Sequence, residues 1–185
     1  MDPMNRRLVV ARDQLTRALM RSRMFAKTYR NEDHFEAEVW KVLWRWANRR
    51  WPGRAADVLL TSHTSRDRKP WARNGELWEK FKDQRRGPDV PALGSKNRVD
   101  IVVRPPGGGS IGIEVEWFSK ANRKKKRSAS VLAHGLGQAA LALAHRDLAV
   151  MVIGCSAARG REAQELHRHL ARACRGSRMR GVVIK

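Results

Sequence analysis

The stretch of residues 98–118 reads RVDIVVRPPGGGSIGIEVEWF, and it decides the fold. Residues 98–104 and 110–118 are two runs rich in the β-branched and aromatic residues that favour strands. Between them, residues 105–109 are two prolines followed by three glycines, a combination typical of a turn. The stretch therefore predicts an antiparallel β-hairpin.

The acidic residues of this hairpin are predicted to share one face. Because side chains alternate in direction along a strand, Asp100 should face away from its apolar neighbours Val99, Ile101 and Val103. Glu114 and Glu116 should likewise face away from Ile111, Ile113, Val115 and Trp117. If residues 105–109 form the loop, Asp100 lies opposite Glu114, and three carboxylates meet in one patch.

Such a patch suits a metal ion. Like charges that face each other across a pair of strands are destabilising, and a divalent cation would turn that repulsion into coordination. Carboxylates are hard oxygen ligands that suit Mg²⁺ or Mn²⁺, and these ions also bridge phosphate oxygens and activate water. The alternative interpretation is a polar sheet edge that faces solvent.

The composition points to a polyanionic partner. The 185 residues include 39 Lys and Arg against 18 Asp and Glu, which gives a formal net charge of +21. A protein with this charge is attracted to polyanions, of which nucleic acid is the first candidate and an anionic membrane surface the second. Nucleic acid is therefore the expected partner.

The apolar segments and the cysteines bear on the compartment. The longest apolar run, residues 148–153, is far shorter than the roughly 20 residues of a membrane span, so no transmembrane segment is expected. Cys155 and Cys174 lack the spacing of a disulfide framework or a zinc site. We therefore expect a reducing compartment, the cytoplasm.

The length fits one domain, residues 1–185, of the α/β class. A basic amphipathic helix is predicted within residues 1–30, and the core should comprise about residues 32–62 and 98–185. Residues 63–97 are polar and rich in Pro and Gly, so they are predicted to form an insertion. The order of helices and strands around the hairpin predicts a mixed central sheet flanked by helices on both faces.

In this order, and in the motifs Val99-Asp100 and Glu114-Val115-Glu116, the sequence resembles the PD-(D/E)XK nuclease superfamily. The resemblance covers about residues 32–154 and implies the restriction-endonuclease-like three-layer fold. It also implies a metal-dependent DNA endonuclease in which Asp100, Glu114 and Glu116 are catalytic. Asp100 and Glu114, assisted by the Val115 carbonyl, would then bind Mg²⁺ or Mn²⁺, and a water molecule would displace the 3′ oxygen.

The predicted helix before the hairpin adds a further acid. Residues 36–44 resemble the first helix of archaeal Holliday-junction resolvases, in which an early Glu contributes to the metal site. Glu36 fits this role better than Glu38, because it lies closer to the apolar arc of Phe35, Val39, Val42, Leu43, Trp46 and Ala47. An acid that only complements the helix dipole is the alternative. Residues 57–62 follow as a predicted first strand.

Two departures from the family motif leave alternatives open. The literal Pro-Asp pair is Pro88-Asp89, but Pro91 would interrupt a strand there, so Asp100 is preferred. The Lys of the motif is replaced by Glu116, as in some restriction endonucleases of the superfamily. Lys120 is an alternative source of the missing cation, and a catalytically inactive nucleic-acid-binding module is the alternative function.

A cationic run follows the second strand and is predicted to contact the DNA backbone. Its members are Lys120, Arg123, Lys124, Lys125, Lys126 and Arg127. The alternatives are a solvated loop and a localisation signal. Gln138, on the next predicted helix, resembles an amide that some family members use near the metal or DNA. The histidines, His134 among them, do not have the spacing of metal ligands. A homodimer is possible, because cleavage of the two strands of DNA requires two active centres.

Overall fold

The computed structural model describes residues 3–23, 25, 29, 32–61, 90–92, 95–97, 99–118, 128–155 and 160–184. In chain order the elements are α1 (Pro3–Arg21), α2 (Glu32–Arg50), α3 (Ala55–Val58), β1 (Leu59–Thr61), β2 (Val90–Ala92), β3 (Ser95–Asn97), β4 (Ile101–Val103), β5 (Ile111–Phe118), α4 (Ser128–Ala142), β6 (Leu148–Cys155), α5 (Gly160–Ala173) and β7 (Met179–Ile184). The main elements lie where the sequence predicts them. Several boundaries differ; in the first strand, Asp57 and Val58 belong instead to the short α3.

The central sheet is mixed and has five strands in the order β1-β4-β5-β6-β7. Strands β1, β4 and β5 pair antiparallel, whereas β5, β6 and β7 pair parallel. Strands β2 and β3 form a separate two-stranded sheet, and most of the predicted insertion lies outside the described residues. The predicted α/β class and the mixed sheet are confirmed.

The hairpin between β4 and β5 has the predicted register. Ile101 pairs with Ile113 and Val103 pairs with Ile111, so residues 105–109 lie in the connecting loop. The backbone φ angles of Gly107, Gly108 and Gly109 are 100°, 98° and 78°. Residues with a side chain rarely adopt such angles, and the three glycines therefore permit this turn.

Helices cover both faces of the sheet, as predicted. On one face, α1 and α2 pack on the sheet in a core that includes Leu15, Phe35, Leu43, Ile113 and Val150. On the other face, α4 and α5 pack on the sheet around Ala139, Met151, Ile153 and Leu170. Each fully buried large apolar side chain contributes about 1.5–3 kcal/mol of transfer free energy, so both helical layers are held by apolar burial.

One predicted side-chain direction is wrong. Val99 was expected to share a face with Ile101, but it packs with Leu60, Val102 and Ala142 on the side of α4. The chain bends at Asp100, and regular strand geometry begins only at Ile101. The bend interrupts the alternation that the prediction assumed.

None of the helices in the described part of the chain combines the length and apolar character that a membrane span requires.

Candidate functional site

Strand β5 extends beyond its partner β4. The antiparallel pairing with β4 reaches only from Ile111 to Ile113 of β5, whereas the parallel pairing with β6 continues to Phe118. No described strand pairs with this edge of β5 after Ile113. The backbone groups along that edge therefore need partners from elsewhere.

Carboxylates accept the hydrogen bonds that a neighbouring strand would otherwise take. The N–H group of Val115 donates to Asp100 Oδ2 over 2.8 Å, and the N–H group of Trp117 donates to Glu32 Oε2 over 3.4 Å. Within a strand, the N–H and C=O groups of one residue point to the same side. The carbonyl of Val115, a predicted metal ligand, therefore also faces this edge.

Glu114 is buried beside Asp100. The residue is only 6% exposed, and its pKa is raised to about 10, first by burial and then by the charges of Asp100 and Glu116. When protonated, Glu114 donates a hydrogen bond to Asp100. The side chains of these two acids therefore lie close together, although strand pairing in the hairpin begins only at Ile101 and Ile113.

Glu32 joins the site next to Glu116. The pKa of Glu32 is raised to about 7, first by partial burial of its carboxylate and then by the charge of Glu116, to which the protonated form donates a hydrogen bond. Glu32 as a whole is exposed whereas Glu116 is buried, so bulk water reaches the pair from the side of Glu32. The sequence analysis assigned no role in the site to Glu32. A signal was present, because Glu32 lies one helical turn before Glu36 and therefore on the same side of α2.

Glu36 lies on the side of α2 that the sequence predicts. It is 3% exposed, and its charge contributes to the raised pKa values of both Glu114 and Glu32. Glu38 instead forms an ion pair with Lys41, with 2.7 Å between Glu38 Oε1 and Lys41 Nζ. The structure therefore brings Glu36, and not Glu38, towards the hairpin acids.

Helix α4 adds a histidine that sequence reasoning missed. His134 Nδ1 lies 2.9 Å from Glu116 Oε1, and the imidazole is largely exposed. Gly135 permits this approach, because a Cβ atom at that position would lie 2.6 Å from Glu116 Cγ. Gln138, one turn later on α4, is partly buried. The i,i+4 spacing of His134 and Gln138 was a signal, but the sequence does not reveal how α4 is rotated on the sheet.

Together these carboxylates form the acidic cluster, which comprises Glu32, Glu36, Asp100, Glu114 and Glu116. All of its donor atoms are hard oxygens, the type that Mg²⁺ and Mn²⁺ prefer, so the donor set fits such an ion. Among the residues that the structure describes, however, no three His, Cys, Asp or Glu side chains are arranged as a ready metal site. Binding of an ion would therefore require side-chain rotations and release of the proton that Glu114 holds at neutral pH.

Some of the predicted site residues lie outside the residues that the structure describes. The cationic run of residues 120–127 and the alternative acid Asp89 belong to segments that the structure leaves undescribed. Phe118 is the last described residue before the run. The run therefore begins close in sequence to Glu116 and the acidic cluster.

In comparisons with protein-family models, curated proteins and solved structures, nothing matches this chain.

Proposed function

We propose that this protein is a metal-dependent endonuclease that hydrolyses phosphodiester bonds in DNA. One observation carries the proposal: Asp100 and Glu114 meet at an open strand edge, where the N–H group of Val115 donates a hydrogen bond to Asp100. This concentration of acids occurs in a chain whose net charge is +21. A polyanionic substrate explains the cationic chain, and a divalent ion explains the acids.

The topology supports the same proposal. Strands β1, β4 and β5 form an antiparallel meander, and the connection through α4 leads to β6, which is parallel to β5. Helix α2 precedes these strands and supplies Glu36. This order agrees with the restriction-endonuclease-like fold that the PD-(D/E)XK resemblance implies.

The metal ligands in this proposal are Asp100, Glu114 and Glu36, together with the carbonyl of Val115. A bound Mg²⁺ or Mn²⁺ would neutralise phosphate charge and lower the pKa of a water molecule. The side chains themselves supply the charge that attracts such an ion, and Asp100 is oriented for this role by the N–H group of Val115. Glu36 brings a further charge from α2.

Glu116 stands at the sequence position where the family motif has its Lys, and His134 contacts it. With Nδ1 protonated, His134 donates a hydrogen bond to Glu116 and holds that carboxylate in one orientation. Once Glu32 has lost the proton that it donates to Glu116, the other oxygen of Glu116 can accept a hydrogen bond from the attacking water. In this proposal the pair supplies the function of the missing Lys.

The cationic run of residues 120–127 would contact the DNA backbone, since phosphate contacts position a protein without specifying bases. Gln138 on α4 would contact DNA near the acidic cluster. Cleavage of both strands requires two centres, so the proposal includes a homodimer on DNA.

The decisive experiment compares Asp100→Asn and Glu114→Gln with the wild-type protein on plasmid, branched DNA and RNA. Each variant keeps the shape of its side chain but removes the charge that coordinates the ion. We expect wild-type cleavage of DNA with Mn²⁺ or Mg²⁺ and none with EDTA. Each variant should lose cleavage. Without metal, Asp100→Asn should bind DNA as tightly as wild type or more tightly, because repulsion of the phosphates is reduced. Glu114→Gln should bind as tightly as wild type, because a carboxyl with a pKa of about 10 is already uncharged at neutral pH. The control is Glu165→Gln on α5, which should cleave normally.

Glu116→Gln tests the departure from the family motif. Loss of cleavage would give Glu116 a direct role in the metal or water site, whereas full activity would transfer that role to Lys120. A catalytically inactive nucleic-acid-binding module remains the alternative function, because this chain has Glu116 where the family motif has a Lys. It would replace the enzyme proposal if wild type cleaves no nucleic acid and calorimetry detects no metal binding that depends on Asp100.

A further inference from the structure

A second charged site lies away from the acidic cluster, between the later halves of α1 and α2. It is a cleft of about 660 Å³ whose lining includes six arginines. The arginine cleft, as we name it, is lined by Gln14, Arg17, Ala18, Arg21, Ser22, Arg23, Val42, Arg45, Trp46, Arg49 and Arg50. No described residue of this lining is acidic, so the cleft is strongly positive.

The arginines stand in two rows. Arg17 and Arg21 are one helical turn apart on α1, and Arg45 and Arg49 are one turn apart on α2. Residues at this spacing lie on one side of a helix with about 5–6 Å between their Cβ atoms. All four residues are exposed. The two rows therefore present guanidinium groups to the same cleft from opposite walls.

The cleft and the acidic cluster occupy different sides of α2. Arg45 follows Glu36 by nine residues, which corresponds to two and a half turns and a rise of about 13 Å. The half turn directs Arg45 away from the side that holds Glu36. A ligand in the cleft would therefore not displace one in the acidic cluster.

Favourable interaction with the helix dipoles explains the positions of only some of these arginines. Arg21, Arg49 and Arg50 lie in the last turns of their helices, where cations interact favourably with the dipole. Arg17 and Arg45 lie earlier in their helices, beyond the reach of that effect. Their convergence with the others gathers several guanidinium groups in one cleft, so that a polyanion can contact more than one of them.

We propose that the arginine cleft binds the phosphate backbone of a nucleic-acid strand. Guanidinium groups match phosphate oxygens with paired hydrogen bonds, and two rows offer contacts to successive phosphates. The apolar Ala18, Val42 and Trp46 between the rows suit the less polar sugar faces. A compact anion would engage only part of the two rows. The choice of nucleic acid as occupant rests on the proposed function, whereas the recognition of phosphate does not.

The test compares two variants, one that lacks three positive charges of the cleft and one that lacks three positive charges elsewhere. The cleft variant carries Arg17→Gln, Arg45→Gln and Arg49→Gln. The matched control carries Arg168→Gln, Arg172→Gln and Arg175→Gln, which are exposed residues on and after α5. Both variants have the same net charge, so any loss of affinity that comes from weaker overall electrostatic attraction is equal in the two. Binding of labelled single-stranded and duplex oligonucleotides is measured by fluorescence anisotropy in EDTA.

We expect the cleft variant to bind about tenfold or more weakly than the control variant. The slope of log affinity against log salt should also fall by about 2–3, since each lost phosphate contact removes about 0.7–0.9. Equal affinities for the two variants, both shown by thermal melting to be folded at the assay temperature, would overturn the proposal. Inorganic tripolyphosphate that binds wild type as tightly as the oligonucleotide would overturn it in favour of a compact anion.

The same measurements separate this inference from the proposed function. Because EDTA removes divalent ions, the binding results do not depend on the acidic cluster. Absence of cleavage with intact cleft-dependent binding would reject the nuclease and keep the arginine cleft. Cleavage by wild type with equal binding of the two variants would keep the nuclease and reject the cleft.

Discussion

Glu114 is held in a buried position among other carboxylates, an arrangement that opposes its ionisation. Its pKa in the folded protein is about 10, compared with a usual value of 4.5. Below the usual value, the carboxyl is protonated in both the folded and the unfolded chain. As pH rises between the two values, the unfolded chain releases the proton first, so the free energy of unfolding falls.

This linkage predicts how stability depends on pH without metal. Between about pH 5 and about pH 8, Glu114→Gln should become increasingly more stable than wild type, by up to about 1.4 kcal/mol per pH unit. Thermal unfolding in EDTA measures the difference, and Glu165→Gln on α5 is the control. Mg²⁺ should raise the wild-type melting temperature at pH 8 and leave that of Glu114→Gln almost unchanged. A stability difference that does not vary with pH would contradict the burial of a carboxyl at this position.

The residues of the acidic cluster differ in how far the sequence could predict them. Glu114 follows from strand alternation, and Glu36 follows from the apolar arc of its own helix. Glu32 and His134 depend on how α2 and α4 dock against β5. Docking is a tertiary property that periodicity within one element does not contain, so these two contacts emerged only from the structure.

Helix α4 packs closely on β5 because Gly135 lacks a side chain. A Cβ atom at this position would lie 2.6 Å from Glu116 Cγ and in contact with Met151 Cε. Gly137, two residues later in the same helix, has no atom within 4 Å of such a position. The two glycines therefore form a matched pair, in which helix propensity is the same and only the packing differs.

Alanine substitution of each of these two glycines separates the effect of packing on stability from the effect of helix propensity. Gly135→Ala should lower the free energy of unfolding by about 1–3 kcal/mol through overpacking, and it should reduce cleavage by displacing Glu116. Gly137→Ala should be neutral or stabilising by up to about 1 kcal/mol, because alanine favours helix. Urea denaturation measures both variants. Similar effects of the two substitutions would refute the close contact between α4 and β5.

At the level of elements, the residue types of the turn predicted the hairpin correctly, whereas local bends of the chain could not be predicted from the sequence. The loop of residues 105–109 fixed the hairpin register, because its glycines adopt positive φ angles. The side-chain direction of Val99 and the start of β1 were wrong, since a bend at Asp100 and the short α3 depend on packing against the rest of the sheet. Strand interiors were therefore predictable, but strand ends were not.

The whole molecule combines a large positive charge with a small, localised acidic cluster. The net charge of +21 opposes self-association and attracts polyanions over a Debye length of about 10 Å at moderate salt. The arginine cleft and the acidic cluster lie on different sides of α2. Such a separation would allow a bound strand to be held by its phosphates without placing those arginines against the acids.

This arrangement predicts a steep dependence of DNA binding on salt. If about six phosphates are neutralised, each contact releases counterions, and the affinity should fall by roughly a thousandfold between 50 and 200 mM salt. Fluorescence anisotropy in EDTA at a series of salt concentrations measures this slope without interference from cleavage. Oligonucleotides of unrelated sequence should give the same slope, because phosphate contacts carry no base information. A flat response would remove nucleic acid as the main partner, since neither the net charge nor the cleft could then be engaged by phosphates.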